Sequence, residues 1–148
     1  MISFLGLGTM GSPMALNLLK QEGSLLVWNR SPEPQEKLVA AGAKGAKDAK
    51  EALGAELSIS MFSNDAAADA VLSPENISPD TVHICMASIS PELARTLTKR
   101  FADAGSKYIS APVLGRPKVA EAGAVNILAA GDPAEMAQHE KTLLAMGK

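Results

Sequence analysis

Residues 1–11 read Met-Ile-Ser-Phe-Leu-Gly-Leu-Gly-Thr-Met-Gly, and the glycines in this stretch decide the fold. Met1 to Leu7 reads as a short apolar strand bounded by glycines. From Met10 to Leu19 apolar residues recur at helical spacing, up to Gly23. Gly6, Gly8 and Gly11 fall at the junction as G-x-G-x-x-G, directly after the strand and at the start of the helix. Glycine is needed there because the chain turns sharply, a pyrophosphate must approach the backbone closely, and the helix must pack on the strand with no side chain between. Backbone N–H groups near Thr9, Met10 and Gly11 then face an anion at the positive end of the helix dipole. The stretch Gly6, Leu7, Gly8, Thr9, Met10 and Gly11 is therefore read as a dinucleotide phosphate loop. The alternative is three glycines that only make a tight turn.

Working outward, Leu25 to Trp28 is a second apolar run, and Ser31-Pro32 offers an N-cap and first-turn proline for a helix through about Ala40. Glu56 to Phe62 and Thr81 to Ala87 read as interior strands, separated by a helical segment around Asp65 to Leu72 and a proline-containing loop. Ser90-Pro91 opens a further helix that Gly105 closes, and Lys107 to Ala111 returns as a strand. Pro112 to Gly123 is expected to be a loop, Ala124 to Ala130 a strand, and Asp132-Pro133 the cap of a last helix ending near Gly147. Strands alternating with helices imply parallel pairing through right-handed crossovers. The expected fold is α/β, a Rossmann-type doubly wound, mostly parallel sheet with helices on both faces.

The length of 148 residues suits one domain, and 47% hydrophobic with 20% charged residues describes an ordinary folded chain. Aromatic residues make up 3%, so aliphatic side chains and seven Met must fill the core through close helix-on-sheet contact. A net charge of -2, with no cluster of Lys and Arg interleaved with aromatics, argues against nucleic acid as a partner. The lone Cys85 cannot form an intramolecular disulfide, and His83 and His139 lack metal-ligand spacing, so no metal site is expected and a reducing cytoplasm fits best. No run approaches eighteen consecutive apolar residues and no signal sequence is legible, so no membrane segment is expected.

Cofactor choice is read at the end of the second strand, where NAD-specific folds place an acidic residue on the ribose 2'-hydroxyl. Here the residues are Asn29, Arg30 and Ser31. Arg30 can pair with a 2'-phosphate while Asn29 and Ser31 donate hydrogen bonds, which favours NADP(H) over NAD(H). The alternative for Arg30 is a solvated charge at a helix start. Lys37 nearby is read as a surface residue.

The run Gly6-Leu7-Gly8-Thr9-Met10-Gly11, followed by Pro13-Met14-Ala15 and Asn17-Leu18-Leu19-Lys20, resembles the β-hydroxyacid dehydrogenase family, which includes 3-hydroxyisobutyrate dehydrogenase and the NAD-binding domain of 6-phosphogluconate dehydrogenase. Three later segments agree in order: Trp28-Asn29-Arg30-Ser31, Met86-Ala87-Ser88-Ile89-Ser90-Pro91, and Ala111-Pro112-Val113 with Ile127-Leu128-Ala129-Ala130-Gly131-Asp132. Within that family the chain looks most like the NADPH-dependent glyoxylate and succinic semialdehyde reductases. The resemblance implies that Met61, Phe62 and Ser63 line the cofactor groove and that Ser88 contacts the cofactor. Read without it, Ser88 and the Met61-Phe62 pair are as well explained as strand-end and core residues.

The family's substrate loop usually reads A-P-V-S-G-G, so the resemblance implies substrate contacts at Val113, Leu114 and Gly115. Leu114 and Arg116 depart from that pattern, suggesting a less polar pocket and an anion-attracting group, or else plain surface features. The resemblance places the catalytic lysine in an all-helical second domain, so no catalytic residue is expected within this chain. His83 reads as a packed core histidine. The expectation is the amino-terminal, cofactor-holding half of an enzyme that moves a hydride between NADP(H) and a small hydroxy acid, aldehyde or 2-oxo acid, inactive by itself and homo-oligomeric at full length. The competing reading is a stand-alone dinucleotide-binding or sensing module without catalysis.

Overall fold

The computed structural model describes residues 1–130 and 133–147. Six strands lie in one sheet: β1 (Ile2–Leu5), β2 (Leu26–Trp28), β3 (Lys44–Gly45), β4 (Leu57–Ser60), β5 (Val82–Cys85) and β6 (Lys107–Ser110). All pair in parallel, in the order β3-β2-β1-β4-β5-β6. The chain winds outward from β1 to β3, then crosses back to lay β4 against the other side of β1. That reversal leaves a crevice above the carboxyl ends of β1 and β4, where a doubly wound sheet receives its ligand.

The helices between the strands are α1 (Gly11–Glu22), α2 (Pro32–Ala40), α3 (Ala49–Leu53), α4 (Asp65–Val71) and α5 (Pro91–Asp103). Local chemistry starts several of them. Ser90 accepts a hydrogen bond from the Leu93 N–H at 3.2 Å, with Pro91 as the first helical residue of α5. Asn64 caps α4 by accepting from the Ala67 N–H, and Asp48 caps α3 by accepting from the Glu51 N–H, both at 2.8 Å. Ser31 stands at the N-cap of α2, yet its hydroxyl makes no capping bond.

The core divides by sheet face. Phe4, Val27, Ile59, Ile84 and Ile109 pack with Met14, Ala15 and Leu18 of α1 and Leu38 of α2. On the opposite face Leu5 and Leu26 pack with Ala52 and Leu53 of α3 and with Leu97 and Phe101 of α5.

Neither β3 nor α3 was expected from sequence. Each is too short for a periodic signal, and Lys44-Gly45 has no apolar side chain, so β3 exists through pairing with β2 alone. The largest revision falls after Ala111. The expected loop at 112–123 contains β7 (Val113–Leu114) and α6 (Pro117–Glu121), and the strand expected over 124–130 contracts to β8 (Asn126–Ile127). β8 pairs antiparallel with β7 in a separate two-stranded sheet instead of extending the main one. The last helix is divided into α7 (Pro133–Gln138) and α8 (Glu140–Leu144). Gly131, the expected cap Asp132, and Lys148 lie outside the described residues.

Candidate dinucleotide-binding site

The loop leaving β1 is shaped by backbone crowding at two glycines. Gly6 has φ +92°, and a Cβ there would collide with the carbonyl oxygen of Met61 and lie 3.1 Å from Phe62 Cδ1. A Cβ on Gly11 would collide with the Gly6 carbonyl, so α1 begins hard against the end of β1. Gly8 is the opposite case: nothing lies within 4 Å of a Cβ built there, because it borders the groove. The N–H groups of Thr9, Met10 and Gly11 have no hydrogen-bond partner among the described residues, and they sit at the amino end of α1. Unpartnered donors, a helix terminus and an unobstructed glycine make a cradle for an anion. The loop is braced from behind, with Ser12 Oγ donating to the Leu7 carbonyl at 2.7 Å and the Ser12 N–H donating to the Gly8 carbonyl at 3.0 Å.

Leu7, expected among the cofactor contacts, does something else. Its side chain is buried in the apolar core, and its N–H donates to Asn29 Oδ1 at 2.8 Å, so neither faces the groove. The same bond revises the expectation for Asn29. Its Nδ2 donates to the Ser31 carbonyl at 2.9 Å, so both ends of the side-chain amide already hold the end of β2 against the phosphate loop. Asn29 thus braces the loop while also bordering the groove, and its Nδ2 carries a second N–H. Arg30 and Ser31 are exposed at the rim, and the Arg30 guanidinium makes no ion pair or hydrogen bond among the described residues.

The crevice opens into a groove of about 780 Å³. Gly6, Gly8 to Gly11, Arg30, Ser31, Met61 to Ser63 and Ser88 all border it, so residues far apart in sequence meet at the carboxyl ends of β1, β2, β4 and β5. The loops after β4 and β5 are tied together where the Ser90 N–H donates to Asp65 Oδ1 at 3.0 Å. Trp28, Asp48, Ala49, Ala67, Val71 and Asn76 also line the groove and were not singled out from sequence. Trp28 directly precedes Asn29, and Ala67 and Val71 stand four apart on one face of the expected Asp65 helix, so both had a legible signal. Asp48 and Ala49 had none, because α3 itself was not legible.

The expected substrate residues stand apart from this groove. Val113 is buried in the apolar core, with Ile127 opposite it across the β7–β8 pair. Leu114 alternates outward and is 55% exposed, while Gly115 packs beside Val119 and Val125. None of the three borders the groove.

His83 is fully buried, as the sequence reading expected, with Ser58 Oγ at 2.6 Å from Nδ1 and Ser60 Oγ at 2.8 Å from Nε2. Burial lowers its pKa from 6.5 to about 3, so the ring is neutral at physiological pH. Burial, with the Cys85 thiol beside it, pushes the Tyr108 phenol upward. Both lie under α5 and away from the groove, so neither is positioned to give a proton there. Among the described residues no group of three or more His, Cys, Asp and Glu is placed to hold a metal ion, and no helix is long and apolar enough to cross a membrane.

Comparison with known proteins agrees with this geometry. The family model for the NAD binding domain of 6-phosphogluconate dehydrogenase matches residues 1–148. The uncharacterized oxidoreductase YfjR of Bacillus subtilis (strain 168) is 37% identical over 149 residues, covering 97% of this chain and 52% of that protein. Among solved structures, 3-hydroxyisobutyrate dehydrogenase of Mycobacterium tuberculosis with L-serine superposes with a TM-score of 0.92 at 27% identity, over 99% of this chain and 51% of that one. Psf3 in complex with NADP+ and 2-OPP superposes with a TM-score of 0.91 at 26% identity, over 99% and 54%. The chain thus spans about half the length of these proteins.

Proposed function

The chain belongs to the family of the NAD binding domain of 6-phosphogluconate dehydrogenase, and from that premise we propose that it holds NADP(H) for an oxidoreductase acting on a small hydroxy acid, aldehyde or 2-oxo acid. The observation that carries the proposal is the joining of the open phosphate loop at Gly8 with Arg30 on one groove. At the end of β2 a guanidinium without an acidic partner stands where a carboxylate would serve a ribose hydroxyl. The carboxylate that does reach the groove, Asp48, comes from the end of β3, and its Oδ1 is committed to the cap of α3. Psf3, which was solved with NADP+, and 3-hydroxyisobutyrate dehydrogenase share the fold and support the reading.

In this reading the N–H groups of Thr9, Met10 and Gly11 orient the pyrophosphate, Arg30 and Ser31 meet the 2'-phosphate, and Met61, Phe62, Ser63 and Ser88 flank the rest of the dinucleotide. The bound cofactor supplies the hydride. Reduction also needs a proton for the developing alkoxide, and among the described residues no group bordering the groove is suited to give it. We assign that role to a lysine in a helical second domain outside these 148 residues, with Leu114 and Gly115 on the substrate side and a cytoplasmic homo-oligomer as the full assembly. The chain alone then binds cofactor without turnover.

Trp28 is the one tryptophan of the chain and lines the groove, so its emission reports a bound reduced nicotinamide, which absorbs where indole emits. Titration is expected to show NADPH binding more tightly than NADH, and Arg30→Asp reversing the order. A lost charge-assisted contact costs about 1.5 to 3 kcal/mol, roughly ten- to a hundred-fold in affinity. Gly8→Val should abolish binding while the melting temperature holds, because a side chain there points into open space. Equal affinities for both cofactors, before and after the Arg30 change, would end the NADP(H) reading.

A further inference from the structure

We propose that Lys47 is a second specificity-determining residue of this chain, supplying with Arg30 the positive charge that recognises a 2'-phosphate; the inference rests on the NADP(H) reading above. β2 and β3 run side by side in parallel, with Leu26 opposite Lys44 and Val27 opposite Gly45, so the segments leaving their carboxyl ends emerge together. One side chain clasps them. Gln35, on α2, accepts from the Asn29 N–H through Oε1 at 3.1 Å and donates through Nε2 to the Ala46 carbonyl at 2.9 Å. Asn29 and Ala46 are the residues immediately before Arg30 and Lys47, so this amide, with the Ala46 N–H donating to the Val27 carbonyl at 2.9 Å, holds together the two backbone positions from which the cationic side chains leave. The base of Lys47 is anchored once more where its N–H donates to Glu51 Oε1 at 2.9 Å.

Between these segments lies a side cavity of about 430 Å³ that shares Trp28, Asn29 and Arg30 with the main groove and adds Gln35, Glu36 and Lys47. Neither the Arg30 guanidinium nor the Lys47 ammonium lies within 4.0 Å of a carboxylate oxygen among the described residues, although Glu51 Oε1 accepts from the Lys47 backbone N–H, Glu36 borders this cavity and Asp48 borders the main groove. Asp48 Oδ1 is taken by the Glu51 N–H. A phosphate monoester carries about -1.5 to -2 charges at neutral pH. One guanidinium therefore leaves roughly half of that charge unmatched, and the long flexible stem of Lys47 can bring a second point charge to it.

The test measures binding of NADPH, NADH, adenosine 2',5'-bisphosphate and AMP to the wild type, Lys47→Ala and Lys47→Arg. The bisphosphate and AMP isolate the adenosine end from the nicotinamide. Lys47→Ala is expected to weaken NADPH and the bisphosphate about tenfold while NADH and AMP bind as before, and Lys47→Arg to retain the wild-type order. The tenfold effect should shrink as salt is raised, since both cations are exposed. An unchanged melting temperature for Lys47→Ala is the folding control. If the wild type has no preference for NADPH, the cofactor reading and this inference fall together. If the preference and its dependence on Arg30 stand, but Lys47→Ala binds NADPH like the wild type or weakens all four ligands alike, the assignment of Lys47 alone is overturned.

Discussion

Across the middle of the sheet, the face covered by α1 and α2 carries Val27, Phe4, Ile59, Ile84 and Ile109 in register on neighbouring strands. One residue earlier, the face covered by α3 and α5 carries Leu26, Ser3, Ser58, His83 and Tyr108. The first row is apolar throughout, and its stabilisation is the non-directional gain of burial and dispersion. The second row holds polar groups at Ser3, Ser58 and His83 that are as deeply buried, and burial without a partner would cost each of them. Ser3 Oγ donates to the Ala52 carbonyl of α3 at 2.6 Å, and Ser58 and Ser60 hold the two ring nitrogens of His83. The imidazole stacks on Phe101 of α5, with centroids 5.1 Å apart and planes at 14°. The difference teaches a division of labour. The apolar face supplies most of the burial energy, whereas the polar face fixes β4, β5, α3 and α5 in one register, because a slipped strand would leave these groups unpaired.

The comparison breaks most readily on the apolar side. Phe4 is wholly buried at the centre of its row, and Phe4→Ala is expected to cost about 3 to 5 kcal/mol in urea unfolding. A loss below about 1 kcal/mol would mean that this face does not carry the burial energy. The polar side is tested by pH. His83 titrates at about 3 in the folded chain because burial penalises its charged form, against 6.5 when unfolded. Below pH 6.5 the unfolded chain takes up a proton that the folded chain refuses until near pH 3. The contribution is therefore complete above 6.5 and falls by about 1.4 kcal/mol per pH unit across that window. From pH 7 to pH 5 the wild type should lose about 2 kcal/mol more stability than His83→Asn, whose side chain has no proton to gain. Parallel losses would show that the ring is not held neutral. The smallest effect sharpens the contrast at the outer surface of α5, where Lys99 and Asp103 pair at 2.6 Å with side chains 78% and 64% exposed. Lys99→Ala should cost only about 0.3 to 0.5 kcal/mol, measured by the same unfolding, because water competes for both partners.

The glycine loop and the Asn29-Arg30-Ser31 corner of the groove were legible from residue types alone, whereas Met61, Phe62, Ser63 and Ser88 were named only through the family resemblance. The spacing of Gly6, Gly8 and Gly11 after an apolar run states a steric requirement that depends on a few neighbouring residues. The prolines at 32 and 91 likewise announce helix starts, and Pro32–Ala40 forms as expected. Legibility failed where a residue's neighbour in space is distant in sequence. That Asn29 also braces the loop is hidden until the Leu7 amide is found on its Oδ1. Val113 reads as a substrate contact until Ile127 is found opposite it, which turns its side chain into the core. The two faces of the sheet were hidden for a related reason, since Ser58, Ser60 and Cys85 are small enough to leave their strands reading as buried runs, with no hint that His83 sits between two hydroxyls.

By itself, then, the sequence determined the α/β alternation, the succession of the principal strands and helices along the chain, and the glycine turn that joins the first strand to the first helix. These follow from the steric needs of single residues and from periodicities within one element. Only the tertiary structure decided that β3 exists, that β7 and β8 form their own antiparallel pair, that Asn29 braces the loop, and that Lys47 borders the same side cavity as Arg30. Each of these is a pairing between segments, and its energy depends on which strand edge or side chain the folded chain brings opposite, which no local pattern records.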